Sequence, residues 1–234
     1  MAALFITGTD TGVGKTFIAC GLARLLRNRG FKVGVMKPVE TGCAVRNEEL
    51  EPSDALQLLS ASRSGQDLQS VCPYRFVDPV APDVAARRIG HTIEPNLIKE
   101  QFQSVSESHD ITLVEGAGGL LVPIWKRYTM ANLVADLGIP LCIVAASRLG
   151  AISHTLLTIE TAQARHLSVR AYLLNYINAH RDTATATNAD LLASSTDVPC
   201  AGIVEWAPSQ DDTLIDRAAD TIEKSVNVDL LFGF

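Results

Sequence analysis

The chain of 234 residues predicts an α/β fold: a parallel β-sheet covered on both faces by helices, a three-layer α/β/α arrangement. Three observations carry this. Short apolar runs recur along the chain, each followed by sequence of helical period. Their spacing leaves room for the crossover that successive parallel strands need. Polar clusters then follow the runs, at residues 8–16, 37–42, 115–119, 147–150 and 175–178. On such sheets ligands sit beyond the carboxyl ends of the strands, which is where these clusters fall.

Taken in order, residues 4–7 form a first apolar strand, and a helix follows over 15–28 with Gly30 as its stop. Residues 32–36 give a second strand ending in Lys37-Pro38. Pro52-Ser53-Asp54 opens a helix through 55–61, and Pro79, Pro82 and Pro95 punctuate an irregular middle. A helix over 95–106 precedes the buried strand 111–114, which ends at Glu115-Gly116-Ala117-Gly118-Gly119. Further strands at 141–146 and 171–175 are separated by a helix over 152–166. A last strand at 203–204 and a helix over 213–224 complete the reading. With no repeat, low-complexity tract or linker, residues 1–234 are expected to make one domain.

Composition narrows the function. Apolar residues make up 47% and charged residues 20%, as in ordinary soluble proteins. A net charge of −6 argues against nucleic acid or an anionic membrane as partner, so any phosphate must be met by local charge. The five cysteines have no paired spacing and the histidines no metal-binding spacing, which speaks against a disulfide scaffold or a transition-metal site. No leader-like segment opens the chain and no stretch approaches the ~18 apolar residues of a membrane span, so a cytoplasmic protein is expected.

The motif richest in chemistry is Gly8-Thr9-Asp10-Thr11-Gly12-Val13-Gly14-Lys15-Thr16, between the first strand and the first helix. It aims backbone N–H groups and a helix N-terminus at one point, which suits a polyphosphate. Lys15 adds a mobile charge for the β/γ-phosphates and Thr16 a hydroxyl for magnesium. Gly8 and Gly14 have one residue more between them than the common G-x-x-x-x-G-K-[S/T] loop. Lys37, at the next strand end, would bring a second ammonium into the same crevice, as transfer of a phosphoryl group between two anions requires. Its other reading is a solvated strand end.

Asp54 is either a first-turn carboxylate satisfying a helix dipole or, with a second acid nearby, a metal ligand. Glu115 supplies that second acid: residues 111–115 have the Walker B form, with Glu in the usual place of Asp. Together Thr16, Asp54, Glu115 and phosphate oxygens would fill an octahedral shell for Mg2+; the other reading of Glu115 is a buried-strand acid satisfied by the loop that follows. Arg148 is a catalytic, subunit-contact or solvent-facing charge. Asn175 and Asn178 either read a nucleobase edge or cap loops. Cys43 reads as a small packing residue.

Taken together, TGTDTGVGKT, KPVETG, SDAL, VEGAGG, SRLGAISHTLLT and the LLN strand end resemble dethiobiotin synthetase, over residues 4 to 178. The resemblance implies a P-loop NTPase-like synthetase and ligase of biotin biosynthesis. It would close a ureido ring on 7,8-diaminopelargonate with CO2 and ATP, through a carbamate and a carbamic-phosphoric anhydride. It assigns Lys15, Lys37 and Thr11 to the reacting groups and Thr41 and Gly118 to the substrate. Gly12, Val13, Gly14, Lys15, Thr16 and Phe17, with Glu115 and Asn175, would hold ATP, and Thr16, Asp54 and Glu115 the Mg2+. Gly150, Ala151 and Ile152 would bind the substrate carboxylate from a neighbouring subunit, so the resemblance implies a homodimer with active sites at its interface.

Three positions depart from the family pattern: Gly12 where many members carry an acid, Arg148 in place of lysine, and Glu205 in place of a proline near the base. Two competing readings of the loop are an amidating synthetase and a partition-type ATPase. The former usually carries a glutaminase domain for which 234 residues leave no room. The latter typically has a lysine where Asp10 stands, and often a basic face.

Overall fold

The computed structural model describes residues 2–207 and 213–233. From the N-terminus, β1 (Ala2–Gly8) feeds α1 (Lys15–Asn28), which returns to β2 (Val33–Met36). Three short strands follow, β3 (Val39–Thr41), β4 (Ala44–Arg46) and β5 (Glu49–Glu51), then α2 (Ser53–Ser62) and α3 (Leu68–Val71). Next come β6 (Tyr74–Phe76), α4 (Pro82–Arg88) and α5 (Pro95–Ser108), leading to β7 (Ile111–Gly119). A small hairpin, β8 (Pro123–Trp125) and β9 (Tyr128–Thr129), precedes α6 (Met130–Leu137) and β10 (Leu141–Ala146). The chain ends in α7 (Ala151–Ala164), β11 (Val169–Asn175), α8 (Thr183–Ser195), β12 (Cys200–Val204), α9 (Leu214–Ser225) and α10 (Val228–Phe232).

The six long strands form one parallel sheet in the order β12-β11-β10-β1-β7-β2. Its strands are buried runs whose alternate side chains enter two separate cores. Leu4 and Ile6 of β1 pack with Ile18 and Leu22 of α1, Leu58 of α2 and Ile222 of α9. Phe5, between them, joins Ile98 of α5, Leu133 of α6, Ile159 of α7 and Leu192 of α8 on the opposite face. The expected three-layer parallel architecture is therefore what the chain adopts.

Register sets what meets at the strand ends. Met36 pairs with Val114 and Ile6 with Glu115, so Lys37, one residue past Met36, emerges beside Glu115. β1 lies between β7 and β10, and the chain moves to opposite sides of it in the two halves of the sheet. The phosphate-loop candidate leaves β1 at that reversal, where a crevice opens.

Several elements differ from the sequence reading. β7 does not stop at Glu115 but runs on to Gly119, with a register shift against β1 between Ile6 and Gly8. The glycines permit it: a Cβ on Gly116 would stand 2.8 Å from the Phe5 ring. The irregular middle contains α4, started by Pro82 at the first helical turn. α6 and α8 were not anticipated either; each begins with a reciprocal capping box, Thr129 with Asn132 and Asp182 with Thr185.

Candidate active site

Gly14 precedes helix α1 as its N-cap, and its left-handed φ of 91° turns the chain from the loop into the helix. The space there is filled: a Cβ on Gly14 would lie 2.1 Å from Asn175 Nδ2. Asn175, at the end of β11, donates from that nitrogen to the Val13 carbonyl at 2.9 Å, while the Val13 side chain enters the core. Asn175 thus fastens the loop, whatever else its remaining amide oxygen meets. No acidic residue occupies the first turn of α1, so its free N–H groups and positive dipole end are left for an anion.

Four charged groups converge beside this helix start. Lys37 Nζ donates to Glu115 Oε1 at 2.6 Å and to Asp54 Oδ2 at 2.8 Å. The Thr16 hydroxyl donates to the same Glu115 oxygen at 2.9 Å. Lys15 Nζ folds back on the Asp10 carbonyl at 3.0 Å. Burial lowers the pKa of Lys37, but the charges of Glu115 and Asp54 outweigh it and hold the ammonium protonated above the usual lysine range. For Lys15, burial and then repulsion by Lys37 outweigh the attraction of Glu115, Asp54 and Asp10 and bring its pKa down to about 8. Burial raises Asp54, yet the Lys37 ammonium more than reverses this and keeps it below its ordinary value.

Glu115 is 1% exposed, and its Oε2 has no hydrogen-bond partner in the structure. A buried carboxylate oxygen without a donor is costly unless something electropositive meets it. Oxygens of Glu115, Asp54 and Thr16 form a hard donor set of the kind Mg2+ takes when it also binds phosphate and water. The residues fit that ion.

Glu40 also belongs here, although the sequence reading gave it no role of its own. Buried at the middle of β3, it accepts from Asp54 N and Ala55 N, each at 3.0 Å, and from the Ser53 hydroxyl at 3.4 Å. Burial raises its pKa, and the two backbone N–H bonds offset part of the rise. The signal in the sequence was only a carboxylate one residue from a buried valine.

A cleft of about 580 Å³ opens in front of these groups. Thr11, Gly12, Thr41 and Gly118 line it with Lys15, Lys37 and Asp54, and residues 79–82, where α4 begins, are also in its wall. A second cleft of about 200 Å³ lies across Gly12 and Gly14, lined by Phe17, Asn175, Tyr176, Glu205 and Trp206. The glycine loop is therefore the partition between two adjoining spaces. Glu205 is drawn into an ion pair with Arg181 at 2.6 Å, whose guanidinium stacks 3.6 Å above the Tyr176 ring. Arg148 reaches Asp10 at 3.5 Å, and the Asp10 carboxylate accepts from Thr11 N at 2.7 Å.

Not every expected residue joins the group. Gly150, Ala151 and Ile152 start α7, with Gly150 in the left-handed conformation, but none lines either cleft of this chain. Cys43 is buried, donates to the Glu40 carbonyl at 3.6 Å, and has its thiol pushed up to about 11 by burial. The cysteines are all free thiols.

The family model described as "AAA domain" matches residues 2–213. A protein of Thermodesulfovibrio yellowstonii named ATP-dependent dethiobiotin synthetase BioD is 35% identical over 99% of this chain and 99% of its own length. The chain belongs to the dethiobiotin synthetase family. Dethiobiotin synthetases of Anaeromyxobacter dehalogenans strain 2CP-C and Bacillus subtilis strain 168 are 40% and 33% identical, over 89% and 97% of this chain and 92% and 97% of theirs. Among solved structures, MinD of Pyrococcus horikoshii, determined with Mg-ADP, has a TM-score of 0.57 at 14% identity, covering 94% of this chain and 86% of MinD. MinD of Pyrococcus furiosus gives 0.55 at 16%, over 96% and 99%. These two likenesses speak for the shared fold alone, a P-loop NTPase architecture. Membership of the dethiobiotin synthetase family leaves the amidating-synthetase and partition-ATPase readings without support.

Proposed function

We propose that this chain is an ATP-dependent dethiobiotin synthetase, joining CO2 to 7,8-diaminopelargonate and closing the ureido ring of dethiobiotin with release of ADP and phosphate. The observation that carries the reading is the convergence of Lys15, Lys37, Asp54 and Glu115 where the two clefts adjoin at the glycine loop. One substrate amine adds to CO2 and loses a proton, giving a carbamate. A carbamate oxygen attacks the γ-phosphorus and the bond to ADP breaks. The second amine then attacks the carbonyl carbon of the mixed anhydride, expelling phosphate.

In this reading the N–H groups from Gly12 to Thr16, with Phe17 alongside, hold the phosphates, and the small cleft at Asn175 takes the base. Lys15 and Lys37 neutralise charge spread over the transferring oxygens. Thr11, Thr41 and Gly118 face the diamine and its carbamate. Thr16, Asp54 and Glu115 would hold Mg2+, which when bound offsets charge on the β- and γ-phosphates. The orphaned Glu115 oxygen supports that assignment.

The substrate carboxylate would be met by the α7 N-terminus, residues 150–152, of a second copy in a homodimer. Two features support this: those residues stay outside the chain's own clefts, and Leu149 and Leu157 of the same region are exposed. No helix among the described residues is long and apolar enough to cross a membrane. We take residues 1–234 as one cytoplasmic synthetase domain.

The test is to incubate the protein with MgATP, bicarbonate and 7,8-diaminopelargonate and follow phosphate release and product mass. Diamine-dependent phosphate release with a ureido product is expected. Phosphate release indifferent to the diamine, with no such product, would overturn the assignment.

A further inference from the structure

Helix α2 begins without a cap of its own. Its N-cap residue is Pro52, which offers no side-chain acceptor, so the first N–H groups of the helix need a partner from elsewhere. They find it in Glu40, on β3. One carboxylate oxygen accepts from Asp54 N and the Ser53 hydroxyl, the other from Ala55 N. Both oxygens are thereby committed to the helix start, and the side chain is 5% exposed in the wall of the large cleft.

The segment that delivers Glu40 also delivers Lys37. Between them, the two side chains hold Asp54 at two places, Glu40 at its backbone nitrogen and Lys37 at its carboxylate, 3.0 and 2.8 Å away. A carboxylate on an uncapped first turn would sample the fraying of that turn. Here the turn is tied to the strand segment that also carries the second lysine, so the distance from Asp54 to Lys37 is set from one piece of backbone.

We propose that Glu40 is a positioning residue, which fixes the Asp54 carboxylate for Mg2+–nucleotide binding by capping helix α2 from a neighbouring strand. The assignment rests on the reading of Asp54 as a member of the metal shell. It makes Glu40 more than a stability element, since a cap of equal strength from position 52 itself would not tie the helix to the β3 segment.

The test measures Mn2+ binding to the protein–ADP complex by electron paramagnetic resonance, for wild type, Glu40→Ala, Glu40→Gln and Asp54→Asn, beside the thermal midpoint of each free protein. Asp54→Asn is expected to weaken Mn2+ at least tenfold. Glu40→Ala is expected to weaken it about fivefold or more, and to raise by a similar factor the Mg2+ concentration giving half-maximal turnover. Glu40→Gln keeps one acceptor oxygen, so it should fold even where the alanine variant does not, with the same change at smaller amplitude. Wild-type Mn2+ affinity in a folded Glu40 variant, with only the thermal midpoint lowered, overturns the proposal while the role of Asp54 stands. Unchanged affinity in Asp54→Asn overturns the metal reading of Asp54 itself and the Glu40 assignment with it.

Discussion

Lys37 and Lys15 are the same residue type in one cleft, shifted in opposite directions by their surroundings. Lys37 is gripped by two carboxylates, and Lys15 leans on a carbonyl with a like charge nearby. Lys37→Ala is expected to lower turnover by a hundredfold or more, while ATP affinity by calorimetry stays within a few-fold, because the glycine loop and Lys15 are untouched. Unchanged turnover would remove Lys37 from the mechanism. Burial and the nearby Lys37 charge lower the Lys15 pKa to about 8, and a phosphate bound at the proposed site would raise it again. Below that pH it is already charged; above it, binding must take up a proton. Affinity for ATP should therefore fall as pH rises from 8 to 10, with proton uptake visible as a dependence of the binding enthalpy on buffer. A flat profile would mean that Lys15 carries its proton throughout.

At the scale of elements, the six sheet strands were legible because each holds an apolar run, the strongest local signal a sequence offers, and the part-buried edge strand β12 was found only over its last two residues. Glu115, Lys37 and Asp54 could be gathered from the sequence as chain positions just past strands or at a helix start. Helix α8, with its Thr-Ala-Thr-Ala opening, lacks a marked apolar stripe and gave no such signal. Glu40 was hidden for a different reason: it caps a helix begun a dozen residues later, a relation created only when β3 and α2 pack. Arg24 was hidden likewise. Buried within α1, it donates to the Ala61 carbonyl at 3.0 Å and the Ser60 carbonyl at 2.9 Å, both on α2, and pairs with Asp216 of α9. Arg24→Met leaves two carbonyls without their charged donor, so urea unfolding should show a loss of about 2–3 kcal/mol. Its ATP affinity should hardly change, since the proposed phosphate site lies at the other end of α1. A change below about 0.5 kcal/mol would reduce the three-helix tie to surface decoration.

At the scale of the molecule, the sheet order places one crevice at the point where the chain reverses about β1, and both clefts open from it. The α7 N-terminus lies outside both clefts, beside exposed Leu149 and Leu157. Light scattering coupled to gel filtration should give twice the chain mass at working concentrations, and Leu157→Asp should shift it toward the monomer with loss of turnover. A monomeric, fully active wild type would refute the shared site. The ammonium of Lys37 lying between Asp54 and Glu115 has one more consequence, for handling and storage of the free protein. The two acids are already partly offset by a cation that belongs to the chain and bridges them, so their repulsion does not wait on an ion from solution. Excess EDTA should leave the thermal midpoint of the nucleotide-free protein unchanged. Magnesium should raise it only with ADP or ATP present, when the ligand pair binds the folded state alone. The fold would then assemble at whatever magnesium level the surroundings provide, and the ion would enter with the nucleotide.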